Sequence, residues 1–508
     1  MNGNIWEIIV FAVYLLFMLG IGFYFFMQKD VDTEKDYFLG GRKMGPWVSA
    51  LSAGASDMSA WVLMGLPTAI FAAGLGQIWV AVGLIIGYAL SWIFEAGRLR
   101  KFSIVSNDSI TIPQYLTNRF LSKSKVLQVL CAVVFLVAYT IYTSSSIKAC
   151  GTLFSTVLGI EGTVLGMPAE TFTMAVAAFI LVSYTFLGGF NAVCWTDFFQ
   201  GLLIIGAMFI APIFAVGSLE AGAAASITGD FWNIGDWKTI ISGLGWGLGY
   251  FGMPHIIVRF MSLRSQKDVK KSAKIGIAWT LFVLIFAVAI AIIGKMFISE
   301  AGGYTAGDIE QVTKDSTVFI VIVRKIFASL PIVSGLMLAA ILAASMSTAD
   351  SQLLAASSAF SSDVYKPIIR GGKASDREMN WFCRIVVVIV ALVAFLIALF
   401  DKEGTIMSLV SNAWGIFGAA FGPVILLSLF WKNFNFIGAI AGIATGAVAD
   451  LLWLNFLTEK TGIYEIIPAF IISLIFAIVV TKLTGGASDD IKAHYEKSLN
   501  YTDPEEEQ

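Results

Sequence analysis

Long apolar runs recur along the whole sequence, and each is close to the length that a helix needs to cross a lipid bilayer. A membrane-spanning helix needs about 20 mostly apolar residues, whereas a strand of a membrane barrel needs about 10 with alternating polarity. The runs therefore predict a bundle of helices embedded in a membrane. The thirteen predicted spans cover residues 5–27, 46–71, 77–96, 126–149, 169–187, 193–217, 238–257, 272–296, 331–355, 382–400, 405–429, 435–455 and 463–483.

The composition agrees with a membrane protein and argues against several other classes. Of the 508 residues, 57% are hydrophobic and 13% are charged, which is about half the charged fraction of a soluble protein. The net charge of −2 gives no reason to expect a nucleic-acid partner. The four cysteines are widely spaced and there are only two histidines, so we expect no disulfide framework, zinc site or bound cofactor. No set of nucleophile, base and orienting group is apparent, so the sequence does not predict an enzyme.

The charges between the predicted spans indicate an orientation. With the N-terminus outside the cell membrane, 25 of the 33 Lys and Arg residues fall in cytoplasmic segments, as the positive-inside rule requires. The C-terminus is then cytoplasmic. We expect residues 1–484 to form one transmembrane domain and residues 485–508 to form a polar, acidic, disordered tail. The sequence does not indicate an oligomeric state.

Two of the predicted spans contain interruptions. The second span places small and polar residues, with the acid Asp57, near its centre. The seventh span is rich in glycine and continues into Pro254, and both residue types weaken a helix. These spans lie five apart, so equivalent members of two five-span units cross in opposite directions. The pattern predicts an inverted repeat, residues 46–217 and 238–429, with a broken helix leading each half as in secondary transporters.

These features also have purely structural explanations. The pairs Gly243/Gly247 and Gly245/Gly249 are typical of closely packed helices. Asp57 could simply satisfy local hydrogen bonds. However, an ionisable side chain at the centre of a span is costly without partners, which favours a functional role.

A third polar cluster lies in span nine, at residues 343–352. Ser347 and Thr348 follow Ala344 by about one helical turn, and carbonyl groups freed in span two would complete a set of five oxygens. Such a set has low total charge and suits sodium better than calcium or magnesium, which favour carboxylates. Helical hydroxyls also bond to the carbonyl of their own preceding turn, so this structural alternative remains open.

Several stretches resemble the sodium/solute symporter family, in the same order and over most of the chain. The resemblance implies an all-α fold of about 13 transmembrane helices, with a leucine-transporter-like core of two inverted five-helix repeats. One span would precede this core and two would follow it. The stretches are residues 38–42, 51–59, 66–67, 245–252, 254–255, 259–261, 341–344, 346–348 and 464–468.

The resemblance implies a sodium-coupled symporter of the cell membrane, working by alternating access, with L-proline as the solute. Another small solute remains an alternative, as do a channel and a membrane sensor. The implied sodium ligands are the carbonyls of Ala55, Met58 and Ala344 and the hydroxyls of Ser347 and Thr348. The implied solute contacts are Ser59, Ala60, Tyr142, Trp246, Tyr250 and Pro254, and Ala60 departs from the glycine expected at its position. The implied coupling and gating residues are Arg42, Asp57 and Asp197.

Overall fold

The computed structural model describes residues 5–27, 33–160, 162–219, 227, 229–299, 302–401 and 405–503. Lys29, one of the basic residues behind the predicted orientation, lies outside these residues. So do residues 504–508 of the predicted tail.

The described chain is almost entirely helical. Its one strand pair is a short antiparallel hairpin, β1 (Thr163–Val164) with β2 (Met167–Pro168). The helices of the first half are α1 (Ile5–Met27), α2 (Glu34–Leu39), α3 (Pro46–Asp57), α4 (Leu66–Ala73), α5 (Ile78–Leu90), α6 (Ala96–Val105), α7 (Ile112–Arg119), α8 (Val126–Leu158) and α9 (Ala169–Gly217). Those of the second half are α10 (Trp237–Gly245), α11 (Pro254–Ser262), α12 (Gln266–Phe297), α13 (Ala306–Lys314), α14 (Val318–Ile326), α15 (Pro331–Phe360), α16 (Asp376–Phe400), α17 (Ile406–Phe430), α18 (Phe436–Phe456), α19 (Thr458–Thr461), α20 (Ile466–Leu483) and α21 (Asp489–Leu499).

Every predicted span coincides with helix. Within the described residues, ten helical stretches are long and apolar enough to cross a membrane. The three predicted spans outside this set are 46–71 and 238–257, which are interrupted, and 169–187, which is the first part of α9. Gly189, with a φ of 64°, separates that part from the rest of α9. The count of thirteen crossings therefore stays a prediction.

The two interruptions occur where the sequence places them. α3 ends at Asp57, Met58 has a non-helical ψ of 70°, and a wide π-type turn at Trp61–Gly65 leads into α4. In span seven, α10 tightens into the 3-10 segment Trp246–Phe251 before α11 restarts at Pro254. Proline suits this restart because it lacks a backbone N–H, and the N–H groups of the first helical turn have no partner within the helix.

Glycines let α5 and the 3-10 segment after α10 approach each other closely. A Cβ atom added to Gly87 would lie 2.1 Å from the Gly247 carbonyl oxygen, and one added to Gly247 would lie 2.3 Å from that of Gly83. Neither position can hold a side chain. The close-packing explanation is thus confirmed for Gly247, and it operates together with the helix break.

The segments between helices meet on two opposite sides of the bundle. On one side, which we call the basic face, ion pairs join segments that are distant in sequence. On the other side, the opposite face, Glu7 of α1 pairs with Arg324 at 2.9 Å. The basic-face pairs are Lys35–Asp108, Arg100–Asp503, Lys366–Glu34 and Lys432–Glu496.

The expectation of a disordered tail is wrong for residues 489–499, which form α21. Ser488 caps the helix, and Tyr495 packs into the body with its hydroxyl 3.0 Å from the Leu429 carbonyl oxygen. Beyond α21, Asp503 pairs with Arg100 at 2.8 Å. The high charge content of this segment suggests disorder, but a few apolar and paired side chains are sufficient to hold the helix against the bundle.

Candidate functional site

The break after α3 redirects the last carbonyl groups of that helix. The last carbonyl groups of a helix have no partner within the helix. Here some of them bond to groups outside the regular helical pattern. The Met58 N–H bonds to the Gly54 carbonyl and the Ser59 N–H bonds to the Asp57 carbonyl. The Ala55 carbonyl, which would otherwise accept from Ser59, accepts instead from the Ser347 hydroxyl at 2.8 Å.

Ser347 joins this break to α15. Its hydroxyl oxygen is also 3.1 Å from the Ala344 carbonyl, so three of the five predicted sodium-ligating oxygens lie together. The Thr348 hydroxyl is buried and has no hydrogen-bond partner among the described residues. A buried hydroxyl without a partner is costly in an ordinary helix interior. By contrast, Ser345 of the same helix bonds back to the Ile341 carbonyl at 2.8 Å, which is the structural alternative.

Asp57 connects the two broken spans. Its carboxylate accepts a hydrogen bond of 2.5 Å from the Tyr250 hydroxyl, and the Asp57 carbonyl accepts from the Trp61 indole at 3.0 Å. The second carboxylate oxygen of Asp57 has no partner in the described part of the chain. The carboxylate thus bonds across to span seven, while the nearby Ala55 carbonyl bonds to α15.

Aromatic rings close the site toward the opposite face. Trp246 stacks on Tyr464, with ring centroids 5.2 Å apart, and its carbonyl accepts from the Trp414 indole at 2.8 Å. Tyr250 packs edge-on against Trp414, with centroids 5.1 Å apart. Trp246 and Tyr250 therefore both contact the Trp414 ring, although their side chains leave the 3-10 segment in different directions.

The other predicted solute contacts lie around this aromatic group. Tyr142 of α8 is buried near Ser59 and Trp61, and its hydroxyl has no partner of normal hydrogen-bond geometry in the described residues. Ala60 adjoins Ser59 in the break and is buried. Pro254 lies lower, where it lines a narrow cavity of about 30 Å³ together with Arg259 and Ser351. That cavity has room for only about two waters. Ala60, Trp246 and Tyr250 are themselves buried, so the site is closed in this conformation.

A buried ion pair lies toward the basic face from this site. Asp197 of α9 pairs with Arg259 of α11 at 3.1 Å, and both side chains are at most 2% exposed. Ser52 of α3 donates to the same carboxylate at 2.7 Å, and Arg259 also donates to Ser351 of α15 at 2.6 Å. The pair therefore connects four helices.

Arg42 lies further out, between α2 and α3. Its guanidinium contacts Asp108 at 2.8 Å, the Met261 carbonyl at 2.6 Å and the Ser109 carbonyl at 2.8 Å. Burial lowers the pKa of Arg42, while the Asp108 carboxylate opposes that change. Burial alone would raise the pKa of Asp108, but Lys35 and Arg42 hold it below its ordinary value. These contacts tie the start of α3 to the ends of α6 and α11.

Three participants were not identified from the sequence as parts of the site. Trp414 contacts both predicted aromatic residues, Tyr464 covers Trp246, and Arg259 neutralises Asp197. Tyr464 and Arg259 occur in the stretches that resemble the symporter family. Trp414 had no comparable signal, because one tryptophan in an apolar span is indistinguishable from core packing.

Comparisons with known proteins identify the family of the chain. The sequence model of the Sodium:solute symporter family matches residues 37–446. Sodium/proline symporters of two Staphylococcus aureus strains, RF122 / ET3-1 and JH9, are each 40% identical to the chain. The first alignment covers 95% of this chain and 94% of the relative, and the second covers 94% and 92%.

Two solved structures share the fold. A Na+-coupled sialic acid symporter, in a substrate-bound outward-open state, aligns with a TM-score of 0.75 at 21% identity over 96% of this chain and 99% of its own. A nucleobase-cation-symport-1 family transporter, closed with bromovinylhydantoin bound, aligns with a TM-score of 0.51 at 12% identity over 91% and 98%. The fold is the leucine-transporter-like fold of inverted repeats expected from the sequence.

Proposed function

Because the chain belongs to the sodium:solute symporter family, a family of transporters and not of enzymes, we propose that it carries L-proline across the cell membrane together with sodium. The observation that carries the proposal is the junction of α3 and α15. There Ser347 brings the Ala55 and Ala344 carbonyls to one hydroxyl, beside the orphaned hydroxyl of Thr348.

Sodium is the proposed co-transported ion at this junction. Its ligands would be the carbonyls of Ala55, Met58 and Ala344 and the hydroxyls of Ser347 and Thr348. These neutral oxygens offer a monovalent cation a coordination shell of low total charge. Asp57 supports the loop through Tyr250 instead of acting as a ligand.

The solute would bind beside the ion, among Ser59, Ala60, Tyr142, Trp246, Tyr250 and Pro254. A proline zwitterion has an apolar ring that Trp246 and Tyr250 can cover. Its carboxylate and ammonium need dipoles and hydroxyls, which broken helices provide without a buried charge. The hydroxyl of Tyr142, which lies near Ser59 and Trp61, would be one of these hydroxyls.

Coupling follows from the short sequence that the two sites share. Residues 55 and 58 would hold the ion, residues 59 and 60 would hold the solute, and Asp57 lies between them and bonds to Tyr250. An ion that orders this loop therefore also fixes Tyr250 in the solute site. Each ligand then favours the conformation that the other binds, which is reciprocal coupling.

Release toward the basic face would require separation of the Asp197–Arg259 pair and of the Arg42 contacts. We assign Arg42 and Asp197 to gating on this basis. The basic face is the proposed cytoplasmic side, because it holds most of the Lys and Arg residues. The two repeats are residues 46–217 and 238–429, and α21 with the remainder of the tail is cytoplasmic.

The test is uptake of labelled proline into proteoliposomes under an imposed sodium gradient, compared with potassium and proton gradients. We expect accumulation with sodium alone. Replacing both Ser347 and Thr348 with alanine should raise the sodium concentration needed by about 100-fold or more, since each lost contact to a charge is worth roughly 1.5 to 3 kcal/mol.

Ser345→Ala is the matched control, because the Ser345 hydroxyl donates to the Ile341 carbonyl of its own helix, whereas that of Ser347 reaches the break in span two. It should leave sodium dependence unchanged. Wild-type sodium dependence in the double variant would contradict the ion site. Sodium-driven uptake of a sugar but not of proline would contradict the solute while preserving the coupling ion.

A further inference from the structure

A groove on the outer surface of the bundle lies apart from the transport site, at the basic-face ends of span three and span eleven. It has a volume of about 390 Å³. Its lining residues are Ile93, Phe94, Gly97, Arg98, Lys101, Phe102, Phe430 and Leu499. We call it the Arg98 groove.

The Arg98 groove is apolar toward the membrane and cationic toward the basic face. Ile93 is 60% exposed, Phe94 is 54% exposed and Phe430 is 43% exposed, as befits side chains that face lipid. Arg98 and Lys101 come one to two turns later on the same helix, toward its basic-face end. The groove thus has the polarity of a phospholipid, with chains at one end and a headgroup at the other.

The two cations are available to a ligand. Arg98 is held in place by its bond to the Leu429 carbonyl at 2.9 Å and by the Phe430 ring, 4.3 Å from its guanidinium carbon. These contacts are to neutral groups and leave its charge uncompensated. Lys101 makes no ion pair within the described residues.

Acidic side chains near the groove are already engaged. Glu95 is fully buried on another side of the helix and accepts from Ser91 at 3.0 Å. Asp503 of the tail pairs with Arg100, and Glu496 of α21 lies 3.9 Å from Lys432. Among the described residues that line the groove, the two charged side chains, Arg98 and Lys101, are therefore both cations.

We propose that the Arg98 groove binds an anionic phospholipid, with its phosphate at Arg98 and Lys101 and its acyl chains along Ile93, Phe94 and Phe430. Basic pockets between membrane helices on the side of the anionic leaflet are suited to such headgroups. Bound there, the lipid would join α6, the end of α17 and α21 through Leu499.

The test uses the full chain reconstituted in phosphatidylcholine bilayers that contain phosphatidylglycerol. Lipids retained after re-extraction are counted by native mass spectrometry. On the scale for basic residues at a membrane surface, two cations predict a preference of about 30-fold for phosphatidylglycerol, and one predicts about 5-fold. Arg98→Gln with Lys101→Gln should abolish the preference, and Lys101→Gln alone should reduce it by about 5-fold.

Lys373→Gln with Arg377→Gln is the matched control. It also removes one lysine and one arginine, both exposed on the basic face near the start of α16. It should retain the wild-type preference. Lys101→Gln keeps the proposal testable if loss of Arg98 disturbs folding, since Lys101 has no ion pair to lose in the described chain. Equal retention of phosphatidylglycerol by wild type and Lys101→Gln, or equal loss in the control, would overturn the proposal, whatever solute the protein transports.

Discussion

The proposed solute site is closed in two different ways on its two sides. Toward the opposite face, the closing groups are the stacked rings of Trp246 and Tyr464 with Trp414 behind them. Toward the basic face, they are charged groups: the pair Asp197–Arg259 and, further out, Arg42 with Asp108.

This difference affects the free energy of opening each side. Separating stacked rings exposes apolar surface to water, which is unfavourable unless a solute takes their place. Separating buried ions loses their attraction but returns them to water, and the two contributions largely offset each other. The aromatic side is therefore suited to recognising a solute, and the charged side is suited to opening once water enters.

The largest effect should follow from removing one partner of the buried pair. Arg259→Ala leaves Asp197 as an uncompensated charge among four helices and should destabilise the protein by about 3 to 5 kcal/mol. Thermal unfolding in detergent measures this loss. The control is Arg264→Ala, five residues later, whose bridge to Asp268 is 59% exposed on the arginine side and should cost at most about 1 kcal/mol. Equal losses of stability in the two variants would mean that the Asp197–Arg259 pair does not stabilise the charged side.

The aromatic side should respond in solute affinity. Trp246→Ala and Tyr250→Ala each remove an apolar wall worth about 1 to 3 kcal/mol, so proline binding should weaken by roughly 5- to 150-fold. Sodium affinity should change little for Trp246→Ala. Trp237→Ala is the control, because that residue is 58% exposed at the start of α10. Titrations of proline and of sodium on folded, purified variants measure both affinities. Unchanged proline affinity in both Trp246→Ala and Tyr250→Ala would mean that proline binds elsewhere.

Removing the hydrogen bond between Tyr250 and Asp57 should have a smaller effect. It should weaken sodium binding and leave the contact with the solute ring in place. Tyr250→Phe keeps the ring but leaves the Asp57 carboxylate with no donor in the described chain. A lost bond of this kind costs about 1.5 kcal/mol, which is roughly tenfold in sodium affinity if Asp57 holds the loop for the ion. Sodium titration of Tyr250→Phe beside Tyr464→Phe, which loses a bond to a distant carbonyl, separates the two roles. A weaker sodium affinity in Tyr464→Phe alone would reverse the assignment.

How far the sequence could predict this molecule depends on the kind of signal. Apolar runs and glycine-rich breaks are local, so the order of the residues alone is sufficient to place the spans and both interruptions. Pairing between distant helices is not local, so Arg259 with Asp197 and Trp414 with Trp246 appear only in three dimensions. A single acid within an apolar span gives an equally weak signal. Asp450 of α18 is fully buried, and neither of its carboxylate oxygens has a partner in the described residues, although its neighbours in sequence are ordinary apolar residues.

The smallest expected effect concerns the exposed end of the charged side. The pKa of Asp108 is held below its ordinary value of about 4. Its pairs with Lys35 and Arg42 therefore stabilise the protein fully at pH values above about 4. This contribution is lost as the pH falls through the lower, folded-state pKa. Asp108 is 44% exposed, so we expect at most about 1 kcal/mol, and added salt should reduce it. Thermal unfolding temperatures of wild type and Asp108→Asn should therefore differ slightly at pH 7 and converge in acid.

The aromatic side contains no such titrating pair among the described residues, so the unfolding temperature of Trp246→Ala should keep a constant difference from that of wild type over the same pH range. A difference for Asp108→Asn that grows in acid would show that Asp108 is not a stabilising anion.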